Sequence, residues 1–130
     1  PIRVIHNGQV WWEGRGLVFV GNMSRYSLGL PVIRDAHPDD GLLDLLILPC
    51  RDQLKLLAHS VRTIFARHVE RGGARYLRFT KIRIESADPA PATVPVEMDG
   101  DAAGSLPLDV EIRPKALFFR LPPGGWVGSR

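Results

Sequence analysis

The chain has 130 residues, of which 45% are hydrophobic, and a formal net charge of +3 at neutral pH. That length supports one domain with a real core, and that apolar content excludes a disordered segment. The single cysteine, Cys50, excludes an internal disulfide and a cysteine-rich zinc site, and it fits a reducing compartment.

No apolar run approaches the roughly 20 residues that cross a bilayer as a helix, and the start carries no signal-peptide pattern. The opening at Pro1, running almost directly into Arg3-Val4-Ile5, reads as a fragment of a longer protein or as a processed chain, with the fragment favoured. The small positive excess permits an anionic partner but is spread out, as on an ordinary solvated surface. Thirteen glycines and eleven prolines suit short strands and turns better than a helical bundle.

In chain order, residues 2–5 and 9–12 flank His6-Asn7-Gly8, and Asn-Gly between two such runs signals a β-hairpin. Trp11 and Trp12 are adjacent in its second strand, so one faces the core and the other faces outward, near Arg15. Residues 16–21 read as a third strand, apolar enough to be buried on both faces. Residues 22–40 have no sustained period, carry Gly29, Pro31 and Pro38, and read as a long ordered loop. Residues 42–48 form a continuous apolar strand, stopped by Pro49.

A helix follows. Asp52 is its N-cap, and Leu54, Leu57, Ala58, Val61, Ile64 and Phe65 fall at helical spacing before Gly72-Gly73 ends it. Lys55, His59 and Arg62 mark an exposed face that is either solvated or set against an anionic membrane. Leu77 and Phe79 are odd-numbered whereas Ile82 and Ile84 are even-numbered, so the next strand breaks or bulges near Thr80-Lys81. Val94, Val96 and Met98 alternate, as do Leu108, Val110 and Ile112. Between them stand Asp99-Gly100-Asp101 and a turn, Ala102-Ala103-Gly104-Ser105. Arg113-Pro114-Lys115 interrupts, residues 116–121 form a last strand, and residues 123–130 are a flexible tail. The expected fold is mainly β: a two-layer antiparallel β-sandwich with one amphipathic helix in a connection.

Two acidic turns carry the candidate chemistry. Asp99-Gly100-Asp101 reads either as a plain hairpin turn or as paired carboxylates serving as a general base or metal ligand. His37-Pro38-Asp39-Asp40-Gly41-Leu42-Leu43-Asp44 turns the chain into the apolar strand. It reads either as a strand-entry turn with solvated aspartates or as an oxygen-ligand site for Mg²⁺ or Ca²⁺. Cys50 lacks a context that would lower its pKa and reads as structural. The four histidines show no metal-ligand spacing, and no Gly-rich phosphate cradle is present.

The order of these motifs resembles the C-terminal domain of the diacylglycerol kinase-like lipid kinases. That family includes the sphingosine kinases and is similar in fold to the NAD kinases. The resemblance rests on "DDGLLD", a helix of about twenty residues, the strand near Lys81-Ile82-Arg83-Ile84, then "MDGD" and "RPKAL", and it covers residues 16–122. It implies a β-sandwich over residues 1–122 that closes the cleft of a two-domain kinase, with the nucleotide loop on a missing N-terminal domain. It further implies ATP and Mg²⁺ as cofactors and a lipid hydroxyl as acceptor. By position, Asp99 and Asp101 are the catalytic acids, Gly100 and Asp101 meet the nucleotide, and Asp40 with main-chain carbonyls near His37 and Leu42 holds a structural Mg²⁺.

Two departures stand out. Asp101 replaces the family's usual Glu and is one methylene shorter, and Ser24-Arg25-Tyr26-Ser27-Leu28-Gly29 keeps only Gly29 of a usually glycine-rich loop. The expected partners are the missing domain, a lipid substrate, a peripheral membrane surface and a second copy in a homodimer. No nucleic acid is expected. The expected location is the cytoplasm, peripheral at a membrane, and the isolated chain is expected to be catalytically silent. Two other readings stay open: a non-catalytic sandwich that binds an anionic ligand or membrane, and a kinase-derived scaffold without activity.

Overall fold

The structure is a computed structural model and describes residues 1–24, 32–33, 35–50, 73–88, 93–118 and 120. The expected helix, most of the loop before residue 32 and the tail lie outside the described residues.

Nine strands are described: β1 (Ile2–His6), β2 (Gln9–Gly14), β3 (Gly16–Gly21), β4 (Leu43–Pro49), β5 (Arg75–Phe79), β6 (Lys81–Ser86), β7 (Pro95–Met98), β8 (Asp101–Ser105) and β9 (Leu108–Glu111). They pair antiparallel in three sheets, ordered β2-β1-β6-β9, β3-β4-β5 and β7-β8. The chain passes from the second sheet to the first at Thr80, which separates β5 from β6. This is the fault that the odd-to-even switch predicts. Leu77 and Phe79 serve one sheet, whereas Ile82 and Ile84 serve the other.

The core lies between these two sheets. Val4, Ile82 and Ile84 from the four-stranded sheet meet Leu45, Ile47 and Phe79 from the three-stranded one. A second cluster covers the opposite face of the three-stranded sheet, where Leu46 and Leu48 pack against Val32, Ile33 and Ala36. Strand β4 therefore buries both faces, which is why its sequence is continuously apolar rather than alternating. Each such leucine or isoleucine contributes about 1.5–3 kcal/mol of burial. The third strand is less enclosed than its sequence predicts: β3 is half-buried, and Leu17 is exposed.

Three expectations are corrected. Trp11 and Trp12 do not divide between core and solvent. The β1–β2 register slips between Val4↔Trp12 and Ile5↔Val10, so Trp11 is an extra residue in a bulge, and both indoles lie half-buried against the core. Residues 102–105 are not a turn but most of β8. Asp99 and Gly100, at φ 53° and 94°, already complete the two-residue loop, and the chain returns along β7 from Asp101. The expected strand over residues 116–121 does not form in its described part. Pro114 and a positive φ of 57° at Lys115 turn the chain off the sheet, and Leu117 and Phe118 are 73% and 95% exposed.

Candidate functional site

The acidic turn at the entrance to β4 is tied down by side-chain hydrogen bonds to both Asp40 and Asp44. Asp40 caps its own turn, its Oδ1 accepting the Leu42 N–H at 2.9 Å. This is the local hydrogen bond that makes Asp-Gly sequences turn. Its Oδ2 accepts from the Arg78 guanidinium. Arg78 reaches it from β5, where it stands opposite Asp44 in the antiparallel register. Asp40 and Leu42 are thus brought together, while His37 and Asp39 are exposed on the same turn.

Asp44 differs from the exposed Asp39 and Asp40 in being fully buried. Its Oδ1 accepts from the Tyr76 hydroxyl, and the Arg78 Nε lies 3.7 Å from the same oxygen. Its Oδ2 is buried without a hydrogen-bond partner, as is the Oδ1 of Asn22, whose amide nitrogen donates to the Pro38 carbonyl at 3.3 Å. Burial pushes the Asp44 carboxyl above the usual carboxylate range. The Tyr76 hydroxyl and Arg78 pull it back, while the nearby Asp40 charge raises it further. Tyr76 is raised as well, chiefly by burial, then by its hydrogen bond to Asp44 and by the Asp44 charge.

The donor set tests the Mg²⁺ expected at Asp40. Both oxygens of that carboxylate are engaged, one by a peptide N–H and one by a guanidinium, so a divalent ion on Oδ2 would meet a like charge. Among the described residues, no group of three or more His, Cys, Asp or Glu side chains is arranged around a metal. As the residues stand, Asp40 does not fit a divalent cation.

The second acidic turn is the exposed tip of the β7–β8 hairpin. Asp99 occupies the first loop position, Gly100 the second, and Asp101 opens β8 opposite Met98. All three are exposed, and Met98 is 61% exposed. This tip and the Asp40 turn belong to different sheets. The hairpin presents two carboxylates with no neighbouring cation described on them, whereas the Asp40 turn is internally paired. Sequence reasoning missed Tyr76 and Arg78, which lie more than thirty residues from their acidic partners. An aspartate inside an otherwise apolar strand was the available signal, because a buried charge requires partners on the adjacent strand.

Two antiparallel sheets packed over one core, with a separate acidic hairpin, define a β-sandwich domain. The family described as YegS C-terminal NAD kinase beta sandwich-like domain matches residues 2–120, and the chain belongs to that family. No curated protein matches it. One solved structure of a "putative diacylglycerol kinase" from Bacillus anthracis str. Sterne is 23% identical with a TM-score of 0.68, over 88% of this chain and 35% of that one. A second from the same organism is 25% identical with a TM-score of 0.65, over 88% of this chain and 36% of that one. A third, a diacylglycerol kinase from that organism, is 22% identical with a TM-score of 0.61, over 85% and 37%. The chain therefore spans about a third of the length of these proteins.

Proposed function

We propose that the chain is the C-terminal domain of an ATP-dependent lipid kinase that phosphorylates the hydroxyl of a diacylglycerol-like or sphingoid-like lipid. The observation that carries this reading is the family match over residues 2–120, which includes the exposed Asp99-Gly100-Asp101 tip. In the proposed reaction the Asp101 carboxylate takes the proton of the lipid hydroxyl. That oxygen then attacks the γ-phosphorus, and the bond to the β-phosphate oxygen breaks to release ADP. Mg²⁺ bound with ATP neutralises phosphate charge. Gly100, at φ 94°, permits the tight two-residue loop between β7 and β8, and in this reading Asp99 positions the acceptor or the nucleotide. The phosphate cradle belongs to the rest of the parent protein, and the acceptor places that protein at the cytoplasmic side of a membrane.

The test is phosphate transfer from ATP-Mg²⁺ to a lipid panel by the parent protein, alongside Asp101→Asn, Asp99→Asn and the 130-residue chain alone. The expected result is transfer by the parent, a loss of about 10²–10⁴-fold in Asp101→Asn and silence in the isolated chain. Full activity in both variants would leave the tip as a turn and nothing more.

A second reading has one observation in its favour. Leu117 and Phe118 are exposed between Arg113, Lys115 and Arg120, an apolar and cationic edge suited to an anionic lipid surface. Salt-sensitive vesicle binding by an otherwise inactive parent would favour this membrane-binding role over catalysis.

A further inference from the structure

Asp40 and Asp44 both stand at the entrance to one strand, β4. The compensating charge comes from Arg78. Its position opposite Asp44 in the register aims one guanidinium at both acids, onto the Asp40 Oδ2 and within 3.7 Å of the Asp44 Oδ1. The Leu42 N–H completes Asp40 at 2.9 Å, and the Tyr76 hydroxyl completes one oxygen of Asp44. What remains is a fully buried Asp44 Oδ2 without a donor. Two carboxylates share one guanidinium, and one buried carboxylate oxygen is left without a donor.

We infer that Arg78 is the built-in cation of this turn, standing where a divalent ion would otherwise bind, and that removing it uncovers a latent site for Mg²⁺ or Ca²⁺ between Asp40 and Asp44. A guanidinium and a hard cation compete for the same carboxylate oxygens, and a permanently charged side chain tethered by its own strand wins by proximity. The turn is therefore metal-independent in this chain. The inference stands on the side-chain network alone and is independent of the kinase reading.

Thermal melting of the 130-residue chain, with EDTA and across a Ca²⁺ or Mg²⁺ titration, tests it. The wild-type melting temperature is expected to be the same in EDTA and in millimolar cation. Arg78→Gln is expected to melt lower in EDTA and to recover with added Ca²⁺, at a midpoint at least about tenfold below any wild-type response. Arg78→Lys, which keeps the charge, stays unresponsive. Adding Asp40→Asn to Arg78→Gln abolishes the recovery. If Arg78→Gln does not fold in EDTA, refolding it in millimolar Ca²⁺ gives the same readout. Saturable stabilisation of the wild type by Mg²⁺, or an Arg78→Gln variant indifferent to both ions, would overturn the inference.

Discussion

At the scale of single residues, the contact between Tyr76 and Asp44 sets a pH dependence. Burial and the Asp44 charge hold the Tyr76 pKa above its ordinary value of 10.0. The folded state therefore keeps this proton more tightly than the unfolded chain does. Its contribution is fully present below about pH 10 and is lost as pH rises from there towards the folded value. Urea unfolding at pH 7 and pH 10.5 is expected to show an alkaline loss of stability that Tyr76→Phe removes. The same variant loses about 1.5–3 kcal/mol at pH 7, because a buried carboxylate oxygen loses a donor. Equal alkaline slopes in both proteins would detach the effect from Tyr76. The Asp40 turn was legible in the sequence because its hydrogen bond spans two residues. Arg78 was not, since strand register, rather than any local pattern, brings it to Asp40 from 38 residues away.

Among the elements, the tight hairpins were the most legible. Asn7-Gly8 and Asp99-Gly100 each place two successive residues at positive φ, a conformation for which few residue types are suited. Gly100 at φ 94° has nothing within 4 Å of where a Cβ would stand, so its constraint is purely one of backbone conformation. Gly100→Ala is therefore expected to cost about 1–2 kcal/mol in chemical unfolding, without disturbing any packed neighbour. A neutral result would mean that the loop relaxes to another turn. Elements without such a local code were misread. The bulge at Trp11 depends on how β2 fits β1, and the departure of the chain after Ile112 depends on Pro114 and Lys115 overriding an apolar stretch that reads as a strand.

For the whole molecule, alternation and turn spacing made the antiparallel sandwich legible, and the change of parity at Thr80 marked where one sheet gives way to the other. Hydrophobicity alone left open that β4 serves two cores at once. Leu45 and Leu46 are neighbours in sequence, yet they belong to the clusters on opposite sides of their sheet. Leu45→Ala and Leu46→Ala are each expected to lose about 2–5 kcal/mol, measured by equilibrium unfolding. A small effect at Leu46 would mean that the cover formed by Val32, Ile33 and Ala36 collapses onto the gap. One further consequence comes from the place of β1 in its sheet. Its second edge pairs with β6, joining Ile2 to Ser86. During synthesis at about 5–20 residues per second, the β1–β2 hairpin leaves the ribosome on the order of ten seconds before that partner exists. Arg3, held to Glu13 within that hairpin at 2.8 Å, takes up Glu85 only when β6 arrives, so the waiting edge already carries a fixed ion pair that disfavours a wrong neighbour.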